Sequence, residues 1–401
     1  MFSTAYAILI SLVVRLLPTA GLFSKKVANF LRKRDLGSQP QKGAVSYWFH
    51  CASLGEYEMA LPVLKMVTKR HPIDTVLITF FSPSGYEQAI KGPFANRVMY
   101  LPLDTHQRVR QFYAKYAPSN AIFVRYDFWY QFIRLGLRNK TAFYIINGRF
   151  QKHHFLFKNL GKPYLKLIKQ FSVIFTSDQA SCDLLKSNHS NAIYAGDTRY
   201  DRVADLAKTA KQFPKIESFK GNRKLLVVGS SWQDEENLIH HLLQNSPENL
   251  AIIIAPHDIE RSGRIKDQFT SYSPKLYSSS SFDSTTLVLI LDTIGMLSSI
   301  YRHADFVLVG GGFKGALHNI IEPAVWGTHI SFGPNISKFY EAKAAIQAGF
   351  ATAIYDRRDW ITTIQNLLQD PDKLKRIKRL SADYVSKQRT ATKIITQRIL
   401  T

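Results

Sequence analysis

The strongest constraint on the fold is a double series of short apolar runs rich in β-branched and aromatic residues, each followed by a stretch with helical spacing. The first series is AVSYWFH (44–50), TVLITFF (75–81), NRVMYLP (96–102), AIFVRY (121–126), AFYIIN (142–147), SVIFTS (172–177) and AIYAGD (192–197). Nearly continuous apolar strands alternating with helices predict a parallel sheet covered on both faces. The segment from Leu206 to Arg223 is polar and lysine-rich, with Pro214 and Gly221 as breakers, and reads as a linker. A second series follows: KLLVVGS (224–230), LAIIIAP (250–256), TLVLILD (286–292), DFVLVGG (305–311) and THISFGP (328–334). The expected fold class is therefore α/β, with two doubly wound Rossmann-like domains, which suits 401 residues better than one core. The boundaries expected are a helix over 1–23, a first domain over 40–205, a second over 222–375 and a C-terminal helix over 376–401.

Open sheets of this kind bind ligands beyond the carboxyl ends of their strands. In the second series those ends carry Gly229-Ser230-Ser231, Pro256-His257-Asp258, Asp292-Thr293-Ile294-Gly295, Gly310-Gly311-Gly312 and Gly333-Pro334. Glycines and small hydroxyls at strand-to-helix turns leave backbone N–H groups free to approach a phosphate, so Ser230 and its fellow turns point to a nucleotide site. The run GGGFKG (310–315) matches the dinucleotide fingerprint, but that fingerprint needs an acid closing the next strand, where this chain has Gly333-Pro334. No P-loop sequence occurs. Asn319 and Glu322 share one face near the start of the helical stretch HNIIEPAVWG, where the carboxylate either accepts the hydroxyls of a ribose or caps the helix.

The first series offers a different feature. Its leading run ends in His50, and Cys51-Ala52-Ser53-Leu54-Gly55-Glu56 then turns into a helix beginning near Tyr57. Glu56 thus projects from a glycine turn at the head of a helix, whose dipole holds a carboxylate ionised. It is either a helix-start charge or a base ready to accept a proton.

Charge narrows the company the chain keeps. Against 53 Lys and Arg stand 30 Asp and Glu, and the net charge of +23 points to polyanions: nucleic acid, anionic lipid or phosphorylated substrates. Cys51 and Cys182 supply neither a disulfide framework nor a zinc cluster. The opening MFSTAYAILISLVVRLLPTAGLF is apolar apart from Arg15, and the basic run Lys25, Lys26, Arg32, Lys33, Arg34 follows it. A secretory signal carries its charge before the apolar stretch; the reverse order places the rest of the chain on the cytoplasmic side if the segment spans. Arg15 and Pro18 leave open whether the segment spans, lies in the interface, or packs on a soluble protein.

At this point the motifs resemble those of the 3-deoxy-D-manno-octulosonic acid (Kdo) transferases, which transfer Kdo from CMP-Kdo to the lipid A precursor in lipopolysaccharide synthesis. The resemblance is carried by HCASLGE (50–56), GSSWQDEE (229–236), PHDIER (256–261), DTIGML (292–297), GGGFKGALHNIIEP (310–323) and GPNISKFYEA (333–342). It implies a GT-B fold, with two Rossmann-like domains facing across a cleft, the acceptor in the first and the donor in the second. It implies Glu56 as catalytic base, with CMP placed against Pro256, His257, Ile294, Gly295, Met296, Asn319, Ile320, Ile321 and Glu322. Arg199, in AGDTRYD (195–201), falls where the family has a lysine thought to stabilise the transition state. No cofactor and no metal are expected, because a monophosphate donor has no diphosphate leaving group to clamp.

Two departures stand out. Where the family commonly reads E-T-E-x-W, this chain has Arg125-Tyr126-Asp127-Phe128-Trp129, so Asp127 aligns with the second acid and a cation replaces the first. His257 stands where an arginine is common. The resemblance also gives the basic surplus a partner. Lipid A precursors carry phosphates, and the cluster running from Lys152 to Lys169 follows Asn147-Gly148-Arg149 in the acceptor domain. The expected location is the cytoplasmic face of the inner membrane, against its anionic surface, with no nucleic-acid partner. Two other readings remain: a GT-B transferase using another nucleotide-sugar, such as a UDP-sugar, and a non-catalytic basic protein binding nucleic acid or membrane.

Overall fold

A computed structural model describes residues 2–35, 37, 40–188, 190–245, 249–279 and 281–400. The terminal residues 1 and 401 of the two expected end helices lie outside the described residues. The chain forms two compact units, Met1–Arg202 with Arg389–Thr401, and Val203–Gln388.

The first unit holds β1 (Tyr47–Cys51), β2 (Val76–Phe80), β3 (Val98–Tyr100), β4 (Asn120–Val124), β5 (Ala142–Gly148), β6 (Val173–Thr176) and β7 (Ala192–Tyr194). They make one parallel sheet in the order β3-β2-β1-β4-β5-β6-β7. Side chains alternate across it. Phe49 pairs with Ile78 and Ile122 in one apolar layer, while Trp48, Leu77 and Ala121 enter the other. Fully burying such a side chain contributes about 1.5–3 kcal/mol.

The second unit holds β8 (Lys224–Ser231), β9 (Leu250–Pro256), β10 (Lys275–Leu276), β11 (Val288–Ile290), β12 (Phe306–Val309), β13 (His329–Phe332) and β14 (Ala351–Ala353). The order is β10-β11-β9-β8-β12-β13-β14, again all parallel. Both sheets therefore reverse direction at one point, beside β1 and β4 in the first and beside β8 and β12 in the second. The loops after those strands diverge and leave a crevice for a ligand.

Two segments differ from the sequence reading. The stretch 206–223 is not a bare linker: its middle forms a helix, Pro214–Lys220, that buries Ile216 and Phe219 completely. The two breakers bracket this helix instead of disrupting it, since proline is preorganised for a first turn and Gly221 takes φ +53° at the end. The tail is two helices, Pro371–Lys387 in the second unit and Ala391–Ile399 in the first. Ala391, Ile395 and Ile399 join the core layer of Phe49, and Asp201 accepts from the Thr392 N–H and hydroxyl at 2.9 and 2.8 Å.

The apolar N-terminal segment is a helix, Phe2–Phe23, long and apolar enough by composition to cross a membrane. One face rests on the first unit. Phe2 lies edge-on to Tyr130 at 5.1 Å, and the Tyr6 hydroxyl donates to buried Asp104 at 2.7 Å. The other face presents Ile8, Leu9, Leu12, Val13 and Leu16 to the surroundings. A second helix, Lys25–Asp35, is tied down by Lys33 to Glu87 and by Arg34, which donates to the carbonyls of Phe81 and Leu101.

Candidate active site

In the first unit, β1 ends at Cys51 and the helix Leu54–Arg70 begins three residues later, with half-buried Glu56 in its first turn. The Ser53 side chain does not cap the helix backbone; its hydroxyl donates to Glu56 Oε2 and fixes the carboxylate at the helix head.

The loop after β4 turns sharply at Arg125, φ 64°, and delivers Asp127 to the end of β1. There Asp127 Oδ2 meets His50 Nε2 at 2.8 Å and accepts from Trp129 Nε1 at 3.0 Å. His50 is fully buried, and its Nδ1 lies 2.9 Å from Thr79 Oγ1, which accepts from Trp48 Nε1 at 2.8 Å. Burial pushes the Asp127 carboxyl up, but the hydrogen bond and charge of His50, with Trp129, outweigh it and hold it below the usual carboxylate range. Phe81 packs at a tilt against Trp129 with ring centres 5.0 Å apart, and Phe30 against Phe81 at 5.4 Å, so the second N-terminal helix reaches this group through aromatic contacts.

Arg199 stands in the first turn of the helix Thr198–Lys208 and grips Asp197 Oδ2 with Nε at 2.9 Å and a terminal nitrogen at 2.7 Å. Asn147 Nδ2 donates to Asp197 Oδ1 at 3.1 Å and to the Thr198 hydroxyl at 2.9 Å. Burial raises the Asp197 carboxyl, and Arg199 first, then Arg125, bring it below its ordinary value. Arg199 is thus a cation fixed in direction. Arg149, just beyond β5, points Nε at Asp178 at 3.6 Å, and Asp178 caps the helix Gln179–Ser187. Glu56, Asp127, Arg149 and Arg199 all follow carboxyl ends of strands in one parallel sheet, so they share an edge.

In the second unit three turns are locked together by carboxylates that the sequence reading did not single out. Fully buried Glu235 accepts from Trp232 N at 2.9 Å and from Gly311 N at 3.0 Å, joining the turns after β8 and β12. Glu236 accepts from the Ser231 hydroxyl at 2.9 Å and from Arg261 at 2.6 Å, adding the turn after β9. Ser230 takes φ 53°, and a Cβ on Gly310 would come within 2.0 Å of its carbonyl oxygen, so glycine is required where the two turns meet.

Around these turns the expected nucleotide residues gather in part. Pro256, His257, Ile294 and Gly295 line one recess of about 370 Å³, and Ile294 is 87% exposed at its lip. Gly295 and Glu322 line a neighbouring recess of about 200 Å³. Asn319 precedes the short helix Ile321–Ala324, donates to Glu322 Oε1 at 3.1 Å and accepts from Ile321 N at 3.0 Å. Ile320 and Ile321 are buried, so a ligand meets their backbone and not their side chains. Met296 is nearly buried, with the Thr293 hydroxyl 2.8 Å from its sulfur.

Three further residues stand here that the sequence reading left as motif letters. Trp232 stacks on His257 at 4.4 Å, His318 approaches His257 at 4.8 Å, and Lys314 lies 4.6 Å over the Trp232 ring. Burial and the adjacent His257 lower the basicity of His318. With His257 they come from three separate loops, and only their occurrence within the motifs GSSWQDEE, PHDIER and GGGFKGALHNIIEP signals them in sequence.

The 3-deoxy-D-manno-octulosonic-acid transferase (kdotransferase) family matches residues 27–202. A 3-deoxy-D-manno-octulosonic acid transferase of Rickettsia felis is 29% identical, over 82% of this chain and 72% of its own length. One from Chlamydophila psittaci is 26% identical over 83% of this chain and 79% of its own. Among solved structures, a UDP-GlcNAc 2-epimerase from Neisseria meningitidis superposes with a TM-score of 0.63 at 13% identity, covering 88% of this chain and 99% of that one. That last likeness concerns the fold, two Rossmann-like domains of GT-B type. With the family match over residues 27–202 and the relatives, the outcome is that this chain is similar, along about four fifths of its length, to the 3-deoxy-D-manno-octulosonic acid transferases, which are glycosyltransferases.

Proposed function

We propose that this enzyme transfers Kdo from CMP-Kdo to a lipid A precursor, with inversion at the anomeric carbon. Glu56 takes the proton of the acceptor hydroxyl as its oxygen bonds to the anomeric carbon, and the bond from that carbon to the CMP phosphate oxygen breaks with its electrons leaving on phosphate. The observation that carries the reading is the Glu56 carboxylate at a helix head beside the first sheet's reversal point, held by Ser53. The Ser230 turn, with Pro256, His257, Gly295 and Glu322, supports a nucleotide in the second unit. Asp127 orients the acceptor, and Arg199 offers a fixed positive charge to the developing transition state. Arg149 and the lysines after it favour a phosphorylated acceptor. The apolar outer face of the N-terminal helix, followed by basic residues, supports an enzyme held on the cytoplasmic face of the inner membrane.

The test is incubation of purified protein with CMP-Kdo and tetraacylated lipid A precursor, with Glu56→Ala alongside. Wild type yields Kdo-lipid, and Glu56→Ala loses roughly 100- to 10,000-fold in rate. No product from wild type, while an established transferase works in parallel, overturns the reading. Thermal stabilisation by UDP or UDP-sugars and not by CMP points instead to another nucleotide-sugar donor.

A further inference from the structure

Two recesses lie side by side under the N-terminal helix, within the first unit and apart from the groups described above. The larger, about 610 Å³, has an apolar wall of Val14, Pro18, Leu31, Leu103 and Phe112. Facing that wall are three cations, Arg34, Arg108 and Lys115, and one acid, Asp35. The second recess, also about 610 Å³, shares Val14, Arg108 and Gln111 with the first and adds Arg15, His106 and Arg110, with no acid in its lining among the described residues. Arg108, Gln111 and Lys115 share one face of the helix His106–Tyr116 by their three- and four-residue spacing.

The charges in this groove are unbalanced. Arg34 is already engaged, donating to two carbonyls and lying 4.9 and 5.3 Å over the Phe30 and Phe81 rings. Burial lowers its guanidinium to about 10, and the charge of Arg108 adds to that lowering against the opposing Tyr100 and Asp35. Among the described residues Arg15, Arg108 and Arg110 have no carboxylate within ion-pair distance. Cations that repel one another across a recess, with no acid to separate them, leave room for an anion. The apolar wall beside them asks for a hydrocarbon. The outward face of the helix above, with Ile8 66% and Leu12 53% exposed, brings the same groove to the level of a membrane surface.

We propose that this groove binds one acidic phospholipid of the membrane, its phosphodiester between Arg15 and Arg108 and the start of an acyl chain along Val14, Leu103 and Phe112. The groove opens beyond β3, two strands from β1 and Glu56, a separation of about 10 Å at ordinary strand spacing. It is therefore a site for a resident lipid that holds the enzyme on its membrane, beyond whatever the acceptor contacts.

The experiment is vesicle binding by the full chain, which needs neither donor nor acceptor and so stands or falls apart from the transfer reading. Phosphatidylcholine vesicles are compared with vesicles also containing phosphatidylglycerol, for wild type, Arg108→Ala, Leu103→Trp and Lys69→Ala. Arg108→Ala is expected to lose roughly tenfold or more in affinity for the acidic vesicles, as for a charge-assisted contact. Lys69→Ala, an equal loss of charge at an exposed helix end, is expected to lose about fivefold at most. Leu103→Trp fills the groove with no change of charge, and weaker binding to acidic vesicles with an unchanged melting temperature supports the proposal. Wild-type affinity for Leu103→Trp, together with equal losses for Arg108→Ala and Lys69→Ala, overturns it. So does full competition by inorganic phosphate at low concentration, which marks a free-anion site. A raised KM of Arg108→Ala for the acceptor in phospholipid-free detergent makes the acceptor the occupant and overturns it too.

Discussion

His50 Nε2 and Asp127 Oδ2 meet at 2.8 Å, joining the end of β1 to the loop after β4, residues 77 apart in sequence. The contact ties the loop after β4 to the end of β1 at the reversal point of the first sheet, and it fixes the Asp127 carboxylate there. Removing it by Asp127→Ala strips buried His50 of its carboxylate and leaves the Trp129 N–H with His50 Nε2 as its remaining acceptor, at 3.0 Å. The expected cost is about 1–3 kcal/mol in urea unfolding. Because the folded carboxyl lies below its ordinary value, its contribution is fully present above about pH 4 and is lost as pH falls through the lowered value. An unfolding midpoint for Asp127→Ala that tracks wild type at pH 7 contradicts this. Asp127→Glu, which keeps the charge and displaces it, is expected to retain stability better than activity.

A second prediction concerns His329, fully buried in β13. Its Nε2 lies 3.1 Å from the Thr352 hydroxyl, and its Nδ1 has no hydrogen-bond partner. Burial lowers the imidazole to about 4. The unfolded chain takes up that proton below about pH 6.5, whereas the folded one resists until near pH 4. The contribution is whole above about pH 6.5 and is lost as pH falls through that interval, by about 3 kcal/mol at the end of it. Urea midpoints of wild type and His329→Leu measured across this range are expected to converge toward low pH; parallel curves contradict the assignment.

Asp305 gathers three ammonium groups: Lys220 at 2.9 Å, Lys378 at 3.0 Å and Lys224 at 3.8 Å. It also accepts from Leu225 N at 3.1 Å. Burial raises the carboxyl and the lysines more than reverse that, so this contribution too is lost on acidification through the lowered value. Asp305→Asn is expected to destabilise the second unit by about 1–3 kcal/mol, less than for a wholly buried pair because the lysines are partly solvated. Since Lys220 belongs to the helix Pro214–Lys220, protease cleavage near residue 214 is expected to quicken in the variant.

Gly310→Ala tests the nucleotide turns without touching a charge. The added methyl meets the Ser230 carbonyl oxygen at 2.0 Å and has backbone, not side chain, to displace. The expected outcome is about 1–3 kcal/mol of destabilisation and the loss of thermal stabilisation by CMP. Unchanged CMP stabilisation places the nucleotide elsewhere.

Most strands were readable because each is an apolar run bounded by turn residues, and the seven runs of the first series became β1 to β7. Two strands of the second sheet were not. β10 is the dipeptide Lys275–Leu276 and β14 is Ala351–Ala353, both edge strands too short to carry a pattern. Pro214 and Gly221 misled because each ends a helix as readily as it breaks one; only the burial of Ile216 and Phe219 decides between the two. At the candidate site, the place of Glu56 at a helix head and the glycine turns were legible from local spacing. The clasps made by Glu235, Glu236 and Arg261, and the stack of Lys314, Trp232 and His257, join loops distant in sequence, and no periodicity announces such partners.

The return of Ala391–Ile399 to the first unit fixes an order of events during synthesis. The unit whose strands are made first is completed only after the second, because a strip of its apolar layer stays uncovered until residues 391–399 are translated. Residues 203–388 are made and free to fold in the interval. An isolated fragment 1–202 is accordingly expected to aggregate, and fusing residues 389–401 onto it through a short flexible link to restore a soluble domain.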